Sequence, residues 1–434
     1  MRTVKGVGEQ MRLRSGSAWR LQGRPGRALP LKQVGYQTIE RKPDKVMSTT
    51  PGKPKLDFSK FPEGGLLAVI VVLGLLLAIF GGSVQLPKFE TTPDGKRHRA
   101  MVTNEAGQQV PAFETVNKFF NPRTIVQIAK DTSFFAIMAV GMTFVIITGG
   151  IDLSIGSMYA LASVCGALIL SPYGPSGGGT ATTLGVLATI GVGAFLGFLN
   201  GSMITAFKVH PFIITLGTMA IYRGIAFVQT NGQSIGGFPD AFRQFVRWEL
   251  WPDLSLVPLI VMVIVTIVGG IFLAKTAIGR KIYAVGGNEV ASRYSGIRVG
   301  RVKLLAYTIT GAAAGIAAVL SLGYYGAGSS GDGQGYELNV IAASVVGGAS
   351  LIGGKGTALG AFLGAVILQM ISNGLVILNI PQNYSQIVIG LVVIAAVLLD
   401  QLNAALAQRR LLARTSAIKK EMAAGGAAAA TPTP

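Results

Sequence analysis

Side chains equipped for chemistry are few in this chain and poorly spaced for it. There is one cysteine, Cys165, inside an apolar run, and two histidines, His98 and His210, far apart in sequence. A single cysteine builds no intrachain disulfide and no cysteine-based metal or iron–sulfur cage, and the histidines lack metal-ligand spacing. No Ser/His/Asp or Cys/His set assembles from them, so the reading is a non-enzyme with no catalytic residues, no metal and no cofactor. The run S-L-I-G-G-K-G-T at Ser350–Thr357 invites comparison with the phosphate loop G-x-x-x-x-G-K-[ST] and fails twice. Ala349 stands where the first glycine belongs, and Gly356 where Ser or Thr must hold magnesium.

What remains is polar chemistry inside apolar surroundings. G-G-I-D-L-S-I-G-S, Gly149–Ser157, interrupts an apolar region with a carboxylate, two hydroxyls and three glycines, and irregular backbone at membrane depth survives only inside protein or against water. Asp152 is then either an N-cap opening the next span, the favoured reading, or a pathway residue. Asn200, Thr205, Thr215, Thr218, Tyr222, Gln229, Asn231 and Asn373 lie in or beside apolar runs. Their hydroxyls and amides suit a path for a neutral polyhydroxy solute, or equally hydrogen bonds between helices. Asp152, Asn200, Thr215, Thr218, Tyr222, Gln229 and Asn231 are the candidate translocation path.

The elements that must position these residues follow from composition. Of 434 residues 50% are hydrophobic and 13% charged, with mean hydropathy +0.53, which excludes a soluble domain of this size. The apolar runs have the length of bilayer-spanning helices, not of alternating strands. They cover 64–82, 134–149, 153–170, 182–207, 211–230, 255–274, 304–322, 338–352, 357–379 and 384–402. The expected fold is an all-α integral membrane protein of ten transmembrane helices, both termini on one side. The net charge of +19 concentrates in both tails and in Lys275–Lys303, which marks cytoplasmic ends and attraction to anionic lipid, not nucleic acid.

Lys275–Lys303 carries Lys275, Arg280, Lys281, Arg293, Arg298, Arg301 and Lys303 against one acid, Glu289, so it reads as cytoplasmic and fixes the orientation of every other segment. Residues 1–63 read as a basic, disordered cytoplasmic tail without a signal peptide, with Met47 as a second candidate start. Residues 64–403 form the permeation domain, 83–131 a periplasmic insert with a β-hairpin or three-stranded meander, and 404–434 a cytoplasmic C-terminal tail. Glycines at helical spacing, Gly193/Gly197/Gly201, Gly311/Gly315 and Gly356/Gly360/Gly364, signal close helix packing. Gly149, Gly150, Leu153 and Gly156 recur 198 residues later as Gly347, Gly348, Leu351 and Gly354, an echo that either duplication or composition explains.

Several stretches together resemble one family, the membrane permeases of ABC importers for ribose, xylose, galactose and related sugars. They are G-M-T-F-V-I-I-T-G-G-I-D-L-S-I-G-S from Gly141, H-P-F-I-I-T-L-G-T-M from His210, Y-R-G from Tyr222, G-G-N-E-V-A-S-R-Y-S-G-I from Gly286 and G-Y-E-L-N-V-I-A-A-S-V-V-G-G from Gly335. The resemblance covers roughly 120–402. It implies a homodimeric pore in the bacterial inner membrane, a cytoplasmic ATPase subunit, a periplasmic sugar-binding protein, and alternating access to a monosaccharide. It also implies that Gly286, Gly287, Asn288, Glu289, Ala291, Ser292, Gly296 and Ile297 belong to a short coupling helix that fits the ATPase. Asn288 and Glu289 suit its start, and Ile282, Tyr283, Val285, Val290, Tyr294 and Ile297 are expected to supply apolar grip. The leader and the insert are longer than that family's usual connections. A permease for branched amino acids or nucleosides, or an ion-coupled secondary sugar carrier, are the alternatives.

Overall fold

A computed structural model describes residues 63–91, 97–104, 107–251 and 254–398, with isolated positions beyond. The N-terminal tail, the start at Met47, the T-P-D-G-K turn and nearly all of the C-terminal tail lie outside the described residues. The chain divides into Met1–Asp57 and Phe58–Pro434, and the described residues belong to the second unit.

Among the described residues thirteen helices follow one another: α1 (Gly64–Phe80), α2 (Pro122–Ile147), α3 (Ile155–Leu170), α4 (Gly179–Phe207), α5 (Pro211–Thr230), α6 (Asp240–Val246), α7 (Leu256–Lys275), α8 (Ala277–Gly287), α9 (Glu289–Tyr294), α10 (Val299–Tyr325), α11 (Tyr336–Val346), α12 (Ala358–Ile377) and α13 (Gln382–Leu398). Among the described residues a helix lies in each of the ten apolar runs, and seven helices, α2, α3 with its continuation to Tyr173, α4, α5, α7, α10 and α12, are long and apolar enough to cross a membrane. The other three, α1, α11 and α13, are shorter. The run at 338–352 departs most from expectation: α11 stops at Val346, and its 11 residues rise only about 16 Å. The glycines after it turn the chain instead of extending the helix.

The insert also ends sooner than its polarity suggests. Asn121 accepts the Thr124 N–H at 3.0 Å and Pro122 takes the first helical position, so α2 begins at 122 and not near 134. Its first turns carry Arg123, Gln127, Lys130 and Asp131, which read in the sequence as loop. Before it, 83–87 pairs antiparallel with 113–117, and two smaller antiparallel pairs, 89–91 with 97–99 and 101–103 with 109–111, lie within that frame. The arrangement is nested hairpins, not a meander.

Helix α2 is the hub, with 89% of its apolar window buried, against 28% for α4 and 22% for α5. The glycine spacing acts as read. A Cβ at Gly193 or Gly197 would collide with the carbonyl of Gly311 or Tyr307, and one at Gly201 would sit 2.9 Å from Leu304 Cα, so α4 and α10 meet backbone to backbone. In lipid that close approach replaces the hydrophobic drive that water supplies elsewhere. The sequence echo is less exact. The N–H groups of Gly149 and Gly150 bond Ile146 and Val145, while those of Gly348 and Ala349 bond Val345 and Ser344. The two turns therefore match one residue out of step with the 198-residue offset.

Candidate functional site

Asp152 lies in the turn between α2 and α3 and is completely buried. It does not cap α3: the N-cap is Ser154, and Asp152 closes a tighter turn before it. Its Oδ1 accepts the Ser154 N–H at 2.9 Å and the Ser154 hydroxyl at 2.6 Å. Asn200 of α4, equally buried, donates to Ser154 Oγ at 2.7 Å and reaches Asp152 Oδ2 at 3.5 Å. The Asn200 carbonyl oxygen accepts the Tyr222 hydroxyl of α5 at 3.0 Å. Around this chain, Thr215 donates to Pro211 O at 3.0 Å, Thr218 to Thr215 O at 3.3 Å, and Tyr307 of α10 to Ile151 O at 3.3 Å.

Three of the seven path candidates, Asp152, Asn200 and Tyr222, are thus joined through Ser154, tying α4 and α5 to the α2–α3 turn; Thr215 reaches that turn at Ile151 O, 3.4 Å away, and Thr218 bonds its own helix. Asp152, Asn200, Thr215, Thr218 and Tyr222 are all enclosed by protein, Tyr222 and Thr218 being the least covered at 4% exposure. Gln229 and Asn231 stand apart at the exposed end of α5, where Asn231 adopts a left-handed conformation (φ 49°) and terminates the helix. Thr205 and Asn373 bond carbonyls of their own helices. In this conformation the network is an interhelical lock. Asp152→Ala should strip acceptors from buried donors and cost about 2–3 kcal/mol, read as a lower melting temperature in detergent. An unchanged melting temperature with reduced transport would instead make Asp152 a pathway residue.

Nothing in the sequence connects Arg223 to the loop before α11. Arg223 of α5 donates from Nη1 to the carbonyls of Ser330 and Asp332 at 2.6 and 2.5 Å. Asp332 in turn accepts from Ser163 Oγ and the Ser329 N–H, both at 3.0 Å. The glycine-rich string Gly326–Gly335 after a long apolar run was the available signal: it carries the chain from α10 along α3 to the start of α11.

The second site lies at α8 and α9. Asn288 accepts the Ala291 N–H at 2.8 Å and starts α9, with Glu289 in its first turn. Glu289 accepts from Lys303 at 2.7 Å and Arg293 at 3.0 Å. The Lys303 bond, reinforced by the two positive charges and opposed by partial burial, holds the Glu289 carboxyl below the usual carboxylate range. Gly296, at φ 81°, ends the turn, and Ile297 returns its N–H to Ser292 O at 3.0 Å.

The expected apolar grip divides. Ile282 and Val285 are buried in the chain's own core, and Tyr283 donates its hydroxyl to Gly356 O at 2.7 Å. Val290 and Tyr294, 64% and 90% exposed, are the outward apolar pair of α9. The inward side explains the glycines. Gly286 lies directly against Ile147 O, while Gly354 donates to that oxygen at 2.8 Å and packs on Gly287. The phosphate-loop lookalike is therefore a packing turn, clasped between α8 and the end of α2.

Residues 124–397 match the family model described as branched-chain amino acid transport system / permease component. The chain is 39% identical over 292 residues to the ribose import permease protein RbsC of Escherichia coli (strain K12), covering 67% of this chain and 87% of that one. It is 38% identical over 287 residues to RbsC of Bacillus subtilis (strain 168), covering 65% and 86%. It is 36% identical over 286 residues to the D-allose transport system permease protein AlsC of Escherichia coli (strain K12), covering 65% and 85%. No solved structure matches it. The matched region runs from the first turn of α2 into α13 and takes in both sites, leaving out the N-terminal tail and the nested hairpins. With its membrane-length helices and the family match over most of its length, this chain belongs to the permease components of ATP-binding-cassette importers, among the sugar-importer permeases of the bacterial inner membrane.

Proposed function

We propose that the chain moves a monosaccharide, a pentose or hexose, inward across the bacterial inner membrane by alternating access, as one of two identical copies forming the pore. ATP is hydrolysed on a separate cytoplasmic subunit that grips α9, and a periplasmic sugar-binding protein delivers the solute. The observation that carries this reading is the 39% identity to a ribose import permease over 292 residues, beside a family match over 124–397 that contains every membrane-length helix except the start of α2. On this reading α1, α11 and α13 complete ten crossings, both tails are cytoplasmic and the nested hairpins are periplasmic. Gly286–Ile297 transmits the ATPase stroke.

Reconstituted with its ATPase and binding protein, the chain should accumulate sugar in a vanadate-sensitive manner. Accumulation by the purified chain from a proton gradient alone would defeat the reading. The nested hairpins are proposed to pack near the binding protein, so deleting 90–112 should weaken uptake several-fold. Unchanged uptake and complex formation would remove that role.

A further inference from the structure

The turn between α4 and α5 and the start of α10 enclose a cleft of about 780 Å³, backed by α9. Its walls carry Lys208, His210, Arg293, Arg298, Arg301 and Lys303, and its single acid, Glu289, already accepts from Arg293 and Lys303. Lys208, Arg298 and Arg301 are exposed and face no second acid in the lining. Several cations converging without a counter-charge repel one another, and an anion in the cleft would relieve that repulsion.

The position of the cleft selects the anion. Phe207, at the last turn of α4, and Phe212 and Ile213, at the first turn of α5, are 68%, 45% and 60% exposed, and both helices are membrane-length. Large apolar side chains exposed at the ends of such helices lie against acyl chains, which sets the adjoining basic cleft at headgroup level. Guanidinium and ammonium groups there match a phosphate diester, and basic pockets between transmembrane helices are a known form of headgroup site.

We propose that this cleft binds the phosphate of an anionic phospholipid headgroup, seated against Lys208, Arg298 and Arg301. The assignment takes from the proposed topology only that the leaflet is cytoplasmic. A phosphate held there would compete with Glu289 for Arg293 and Lys303, and so would tie the position of α9 to the bilayer.

The test is independent of transport and of topology. The full chain, purified in neutral detergent, is titrated with short-chain phosphatidylglycerol, short-chain phosphatidylcholine or inorganic phosphate while its melting temperature is followed. Phosphatidylglycerol should raise the melting temperature and phosphatidylcholine should not. In Lys208→Gln/Arg298→Gln the half-effective concentration should rise at least about tenfold, the loss expected from removing charge-assisted hydrogen bonds. Lys275→Gln/Lys281→Gln, basic positions on the same segment outside the cleft, should respond as the parent chain does. If the cleft double variant does not purify, Arg301→Gln alone should show a several-fold weakening.

Equal stabilisation by phosphatidylcholine, or a parent-like response of the cleft variants, would overturn the proposal. Equal potency of inorganic phosphate would make it a free-phosphate site. Complete loss of the phosphatidylglycerol response on adding the ATPase subunit would assign the cleft to a protein interface instead.

Discussion

Glu289→Lys is expected to insert and accumulate in the membrane normally while losing at least about ten-fold of ATP-driven uptake. The carboxylate accepts from Lys303 of α10 and Arg293 of α9, so it is the tie between the short helix and the long one behind it. A lysine would place a third cation beside those two and reverse the charge at the start of α9, where the helix dipole favours an acid. The damage to stability should be small, because the Glu289 side chain is 40% exposed and exposed ion pairs contribute at most about 1 kcal/mol. Loss of uptake without a fall in melting temperature therefore separates coupling from folding. Full uptake by the variant would reduce α9 to an ordinary loop. The pH dependence has a definite sign. Since the folded carboxyl lies below its ordinary value, its contribution is complete above about pH 4.3 and is lost as pH falls through the folded value. Glu289→Gln should lose this contribution between pH 6 and 8, at most about 1 kcal/mol, and its melting temperature should converge with the parent's as pH falls through the folded value.

Membrane helices announce themselves because lipid demands long apolar segments with every backbone group internally bonded, so each of the ten apolar runs holds a helix among the described residues, seven of them long enough to cross a membrane. Their ends were less legible. Arg123, Lys130 and Asp131 made the start of α2 look like loop, although Asn121 and Pro122 were a readable cap. The break after Val346 was hidden by glycines and alanines whose hydropathy suits a helix and whose torsions suit a turn. In the buried network, composition pointed to Asp152 and Asn200, but only packing shows that Ser154 joins the two and that Asn200 accepts from Tyr222. The same string of residues supports a cap, a pathway or a lock, and the choice depends on which helices come together. Val290 and Ile282 illustrate the limit again: both are apolar on one basic segment, yet one faces out and the other is enclosed.

The second large effect is expected from a single methyl group. Gly286→Ala should lower the melting temperature markedly and reduce uptake at least about ten-fold, whereas Gly287→Ala should behave nearly as the parent chain. A Cβ at Gly286 would overlap the carbonyl oxygen of Ile147 and stand 2.5 Å from the Gly354 nitrogen, while one at Gly287 meets nothing within 4 Å. The obstructing atoms are backbone, so no side chain can rotate away, and α8 must shift bodily from the end of α2. Overpacking of this kind typically costs about 1–3 kcal/mol and occasionally more. The shift would also disturb the Gly354 N–H bond to Ile147 O, which clasps the 350–357 turn to the same oxygen. Because α8 leads directly into α9, displacing it moves the Asn288 cap and the Glu289 tie together. On the proposed coupling role, Glu289→Lys and Gly286→Ala should therefore differ in a measurable way: the first should break coupling in a stable protein, and the second should break it by unseating the helix that leads into α9. If Gly286→Ala transports and melts like Gly287→Ala, the coupling segment is not braced against α2, and its motion must be transmitted through the α9–α10 contact alone.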